Sequence, residues 1–298
     1  MLYRFLMLPL CLLVIATSSS ADPIEEGRVY EAGTRLESPW SGVSFVVPAG
    51  FNAAYDPESE GVYMQKGTTL LMVWGLSEAT AEQIASLALL MIREQGVGVE
   101  MVSRQDPDAQ TVHAELTTAS EFGTGSLVGT ARHSAEGNAL AMFALSLQGD
   151  DPNLASYVSA VSETIRWSAP MAKEYREALA GRTFQGAGYD SAYSQGGAGN
   201  YGSFAGENKT VLSFCSQDRY GYMIDATTIM SIEGASVRSE DRDAHSGAWN
   251  LILGLAGNGY LMLDSDRGDT FEWSFRETEA GLHINGIVYA PGQESLCF

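Results

Sequence analysis

The chain has 298 residues, 45% of them hydrophobic, and sets 37 acidic side chains against 17 basic ones for a formal charge of −20. Such a polyanion repels phosphate backbones and anionic lipid surfaces, which argues against nucleic-acid binding and attachment to such membranes. The length suits two ordinary domains, and no stretch after residue 21 is apolar for long enough to cross a bilayer.

Residues 1–21 carry the marks of a secretory signal peptide. Arg4 supplies a positive start, Phe5 to Ala16 an apolar run interrupted by Pro9, and Ser19-Ser20-Ala21 the small residues of a cleavage site. Cleavage before Asp22 would leave the protein in the periplasm or outside the cell. A retained anchor is the competing reading, but the run falls short of the roughly 20 residues that a span needs. Cys11 lies inside the run without small residues directly before it, unlike a lipid-anchored cysteine.

Residues 22–39 are polar, rich in Glu and Gly, and expected to form a flexible lead-in. An α+β unit is expected over residues 40–168. Gly42 to Pro48 reads as a short strand, and Val62 to Gln65 with Leu70 to Trp74 as a hairpin around Lys66-Gly67. Thr80 and Gln83 stand at capping-box spacing. Ile84, Leu87, Ala88 and Met91 then make one apolar stripe, so a helix is expected until Gly96 and Gly98 stop it. Strand candidates are Val99 to Arg104, Thr111 to Thr117, Ser126 to His133 and Ala139 to Gln148. Asp151-Pro152 should open a second helix, with Asp as cap and Pro first in the helix. Leu154, Tyr157, Val158, Val161 and Ile165 are its buried stripe, and Trp167 closes the unit. Strands and helices in this order make a sandwich in which helices cover an antiparallel sheet.

The opening Gly42-Val43-Ser44-Phe45-Val46-Val47-Pro48-Ala49-Gly50-Phe51, the middle helix and the last helix ending at Trp167 resemble the PsbP-like α-β-α sandwich group. That resemblance implies the fold of the first unit and assigns no functional residue.

Residues 169–181 are expected to be a linker with a short helix, and residues 182–298 an all-β domain. Its strand candidates are Arg182 to Tyr189, Tyr201 to Ala205, Thr210 to Ser216, Tyr220 to Asp225, Ala235 to Ser239, Ala248 to Ala256, Tyr260 to Asp264, Thr270 to Arg276 and Leu282 to Tyr289. The clearest signal is a period of two: Trp249, Leu251, Leu253 and Leu255, then Phe271, Trp273 and Phe275, with Gly- and Asp-rich turns between. Eight or nine short strands make a small antiparallel barrel or a sandwich. The Phe214-Cys215 strand, Gly247-Ala248-Trp249 and the meander resemble a calycin- or lipocalin-like barrel, which implies a small-ligand cavity.

Cys215 and Cys297 are the two cysteines beyond the leader, and an even pair in an oxidising compartment favours a disulfide over two buried thiols. Gly197 to Gly202 spells G-x-G-x-x-G, but a dinucleotide fingerprint needs a strand before it and a helix after it, which this all-strand region does not offer. The better reading is a Gly-rich connection from Asp190 to Gly202 near a barrel mouth. There Tyr189, Tyr193 and Tyr201 are candidate ligand contacts, with a plain flexible connection as the alternative. Asp264, Asp266 and Asp269 alternate as calcium ligands would, yet the bidentate Glu is missing and Arg267 intervenes, so a hairpin turn is simpler. His113, His133, His245 and His283 show no metal spacing. His245 with Asp241, Asp243 and Ser246 holds the residue types of nucleophilic catalysis, though neighbours in sequence rarely form a triad.

No cofactor is implied. The sequence therefore predicts a secreted or periplasmic non-catalytic binding protein, its partner a small molecule or an envelope protein met at the barrel. The alternative is an envelope-associated hydrolase with a site between the domains.

Overall fold

The computed structural model describes residues 21–86, 97–99, 102–105, 111–120, 123–146, 151–195, 201–232, 235–279, 281–293 and 295–297. The leader, including Cys11, and most of the expected stripe after Ile84 lie outside them.

The early chain forms β1 (Asp22–Pro23), β2 (Val29–Tyr30), β3 (Arg35–Ser38), β4 (Val43–Val46), β5 (Asn52–Asp56), β6 (Gly61–Lys66) and β7 (Thr69–Leu76). Helix α1 covers 81–86, followed by β8 (Val97–Val99), β9 (Val102–Gln105), β10 (Thr111–Ser120), β11 (Gly123–His133) and β12 (Ala139–Ser146). Then come α2 (Leu154–Ser162) and β13 (Arg166–Trp167). A nine-stranded sheet runs β2-β5-β6-β7-β12-β11-β10-β8 with β9 also on β10, and a small sheet runs β1-β3-β4-β13.

The central strands β7 and β12 of the large sheet are buried on both faces. Leu71, Val73 and Met142 pack with β3, β4 and α2, whereas Met72, Trp74 and Phe143 pack with Ala81, Ile84 and Ala85 of α1. This explains why β12 reads as an unbroken apolar run: all eight of its residues are buried. The capping box of α1 forms as expected, with Thr80 N donating to Gln83 Oε1 (2.9 Å) and Gln83 N to Thr80 Oγ1 (3.2 Å).

Two expectations are corrected. Residues 22–39 are no loose lead-in, because Tyr30 and Leu36 are core residues and β1 and β3 build the small sheet. Helix α2 starts at Leu154, with Asn153 as its cap residue. Asp151 Oδ1 accepts from Asn153 N (2.9 Å), so it caps a turn ahead of the helix.

The expected linker contains α3 (Met171–Leu179), which works as a lid. Its Ala172 and Leu179 are buried in the barrel core, with Tyr175 and Trp40 packed beside them. The barrel closes through β14 (Thr183–Gln195), β15 (Tyr201–Phe214), β16 (Arg219–Ile232), β17 (Ala235–Leu253), β18 (Gly259–Ser265), β19 (Thr270–Thr278), β20 (Gly281–Ile284) and β21 (Ile287–Pro291). Each strand pairs antiparallel with the next, and β21 returns to β14 at Phe184–Gly186. Inward positions alternate with outward ones. Leu212, Phe214, Trp249, Leu251, Leu261, Leu263, Phe275 and Ile284 fill the interior. Glu272, Ser274 and Arg276 of β19 are exposed on the other face. On β19, apolar residues face in and polar residues face out, the reverse of a lipid-facing strand.

Two pairs of expected strands are single long ones, β15 and β17. Another expected strand, Leu282 to Tyr289, is a hairpin, β20–β21, turned at Asn285 and Gly286. Beyond Gly186 on β14 and before Gly247 on β17, no further rungs join these strands to β21 and β18 among the described residues. The four strands β14–β17 thus run past the closed barrel as two long hairpins.

Candidate functional site

The upper barrel interior is aromatic. Period-two alternation sends Tyr220 and Tyr222 of β16, His245 of β17, Phe271 and Trp273 of β19 and Tyr289 of β21 to the inner face. Neighbouring ring centroids lie 4.8 Å apart for Tyr222–His245, 4.9 Å for the stacked His245–Phe271, 5.0 Å for Tyr222–Trp273 and 5.9 Å for Phe271–Trp273. At such separations the four rings are in mutual contact. They line the barrel's upper interior as a closed circuit of ring contacts.

His245 shares a 2.8 Å hydrogen bond with the Tyr220 hydroxyl through Nδ1. Burial pushes its pKa below the usual histidine range, against an opposing pull from Asp243, which favours the neutral imidazole. Burial likewise holds the Tyr220, Tyr222 and Tyr289 phenols above the usual tyrosine range. Ser246, the next residue along the strand, points to the opposite face, where its hydroxyl donates to Asp266 Oδ2 (2.9 Å). A strand cannot bring consecutive side chains together, so His245 and Ser246 form no nucleophile–base pair. His283 sits on β20 between the inward Leu282 and Ile284, opposite Arg276 and Val288. At the junction between the sheets and the barrel, Glu78, Asn250 and Arg176 bond to one another, and Ser77 and Tyr55 reach across to Leu253 and Asn258.

Two of the calcium candidates, Asp264 and Asp266, have other partners for their carboxylates. Asp266 pairs with Arg219, and Asp264 Oδ1 accepts from Thr270 Oγ1 (3.0 Å). Arg267 reaches back to Asp243 (2.9 Å), and Ser265 N donates to Asp269 O across a tight turn. Among the described residues no three His, Cys, Asp or Glu side chains converge as a metal site.

The expected Gly-rich connection is mostly strand. Tyr189 and Tyr193 lie on β14 and Tyr201 opens β15 opposite Gln195, so only residues 196–200, outside the described set, join them. Thirteen consecutive rungs override the weak strand propensity of Gly188, Gly202 and Gly206. Because a strand follows Gly202, the G-x-G-x-x-G string lacks the helix that phosphate binding needs.

The site that sequence reasoning missed lies on the barrel's outer wall. Residues 292–293 and 295–297 lie across it as a strap. Gly292 N donates to Thr183 O (2.8 Å), Leu296 N donates to Ser213 Oγ (3.0 Å), and Cys297 is disulfide-bonded to Cys215 with Cα atoms 5.5 Å apart. The strap rides over Gly221, where a Cβ would come within 2.7 Å of Leu296 Cβ, so only glycine admits it. Beside it opens a groove of about 330 Å³. The outward Gly221, Met223, Ala244 and Ser246 form its floor along the Tyr222–His245 rung, Leu296 is one wall, and Arg242 overhangs with Nη2 3.0 Å from Met223 Sδ. No local motif marks it; its one sequence trace is the cysteine pair that fixes the wall.

No family model and no curated protein matches the chain. Among solved structures, the solution structure of a cyanobacterial PsbP (CyanoP) from Synechocystis is similar over 47% of this chain and 92% of its own, at 15% identity and a TM-score of 0.32. The likeness is slight, and the site stands on the chain's own geometry. No helix among the described residues is long and apolar enough to cross a membrane.

Proposed function

We propose that this chain is a non-catalytic binding protein whose contact site is the outer groove beneath the C-terminal strap. The observation that carries this reading is the groove itself, about 330 Å³ in volume with one wall locked by a disulfide. That size sits at the low end for small-molecule sites and also suits one or two apolar side chains of a protein partner. The lining favours an uncharged apolar group. A chain of charge −20 repels anions, and Arg242 at the rim repels cations.

Tyr189, Tyr193 and Tyr201 are proposed as the continuation of this contact surface. They carry the strand parity of Gln185 and Val211, which leads across the rungs to Met223 and Ala244 in the groove. In this reading residues 1–21 are a cleaved signal peptide, the protein acts in the periplasm or outside the cell, the first unit is a PsbP-like sandwich, and the barrel is calycin-like.

Methyl-resolved NMR with a library of neutral aromatic and aliphatic fragments tests the site. Binding should shift the methyls of Met223, Ala244 and Leu296. Ala244→Trp, at an exposed position, should fill the groove and weaken binding at least tenfold, and Tyr201→Ala should weaken it without lowering the melting temperature. Fragments that bind while leaving those three methyls unmoved would overturn the assignment.

A further inference from the structure

We infer that the strap is a thiol-controlled wall, released when the Cys215–Cys297 bridge is reduced. Its effect on ligand rests on the groove reading above; its release does not. Three observations support release without unfolding. First, the barrel's closing register ends before the strap begins: β21 stops at Pro291, and its rungs with β14 are Phe184–Pro291, Gln185–Ala290 and Gly186–Tyr289. The bridge is therefore not part of the ladder that closes the barrel.

Second, little besides the bridge holds the strap among the described residues. Its backbone reaches the barrel at Gly292 N to Thr183 O and Leu296 N to Ser213 Oγ, and Cys297 N bonds only locally, to Ser295 Oγ. One half-buried leucine and two hydrogen bonds return less than the conformational entropy of the strap's five described residues, so the covalent tether decides the balance. Third, the bridge is reachable. Cys297 is exposed and Cys215 half-buried, whereas a disulfide inside the barrel would be shielded from an attacking thiolate.

The chemistry requires a dithiol, either a small molecule or a protein. Its thiolate attacks the Cys297 sulfur, the S–S bond breaks, and the electron pair leaves on Cys215, which takes up a proton. The dithiol's second sulfur, as thiolate, then displaces Cys297, which takes up its own proton. Two electrons and two protons pass to the protein, and the dithiol becomes a disulfide. Leu296 then lifts from Gly221 and the groove loses a wall.

Hydrogen exchange on the oxidised protein, and on protein reduced with dithiothreitol and alkylated, reads the release directly. Protection at the Leu296 amide should fall more than tenfold on reduction, while Leu251, Leu261 and Leu282 in the barrel keep theirs. The double variant Cys215→Ser with Cys297→Ser should match the reduced protein, which excludes an effect of the alkyl groups. Unchanged protection at Leu296 would overturn the inference, and so would loss of protection throughout the barrel. Release at Leu296 with fragment shifts at Met223 and Ala244 intact would leave the strap inference standing and remove the groove reading.

Discussion

Glu60 carries an ionisable group into the seam between the large sheet and the barrel. Its backbone is in the left-handed region at φ 55°, and its Oε2 would lie 3.8 Å from a Cβ added at Gly254. Burial alone pushes its carboxyl above the usual glutamate range. A raised carboxyl pKa means that the folded protein holds the proton more tightly than the unfolded chain does. The ionised side chain therefore costs stability at every pH above the folded pKa, and the cost vanishes below the ordinary value of 4.5. Glu60→Gln should raise the melting temperature at pH 7 and leave it nearly unchanged at pH 4. An equal shift at both pH values would show that charge is not the cause. This site was not legible in the sequence, because no local pattern shows that Glu60 meets Gly254 at the seam. The cysteine pair was legible, because an even count without metal spacing leaves few alternatives. His245 and Ser246 were legible as residue types only; the pleat decided that they part.

At the scale of elements, the strands that read clearly were those with one apolar and one polar face. Trp249 to Leu253 and Phe271 to Phe275 alternate and appear where expected. Errors came where polar residues continue a strand. Asp243 and His245 read as a loop, yet β17 runs through them because β16 supplies a rung at every residue from Ala235 to Ala248. The opposite error fell at Asn285-Gly286, an Asn-Gly turn inside an apolar stretch. Both residues have positive φ, 50° and 81°, as a two-residue hairpin turn requires. Nothing lies within 4 Å of a Cβ placed on Gly286, so substitution there tests backbone conformation without a clash. Gly286→Ala should cost about 1–2 kcal/mol from the left-handed backbone alone, read as a lower urea midpoint with an unchanged slope. A neutral outcome would mean that the β20–β21 turn relaxes to another form.

For the whole molecule, the sequence suggests two units joined by a linker over residues 169–181, but the structure ties the start of that segment down. Ser168 N donates to Gly42 O (2.9 Å), Asn138 Nδ2 to Ser168 O (2.9 Å) and Met171 N to Pro39 O (2.8 Å). The turn after β17 then locks the barrel to the large sheet. Leu255 is 1% exposed within the sheet's core, and Ser77 exchanges two hydrogen bonds with Leu253, each 2.9 Å. Gly257, at φ 86°, passes under Trp40, which in turn stacks edge-on against Tyr175 of the barrel lid at 5.7 Å. Each unit therefore places an apolar residue in the other, a coupling that period-two patterning cannot reveal because it depends on what the turn meets. The intact protein should unfold in one cooperative transition and resist mild proteolysis at 168–173. Leu255→Ala removes a buried side chain at a cost of about 2–5 kcal/mol, and that loss falls on the seam. Calorimetry of the variant should resolve two transitions where the parent shows one, with cleavage at 168–173 accelerated. A variant that melts lower but still in a single step would mean that Ser77–Leu253 and Trp40–Gly257 hold the units together without Leu255.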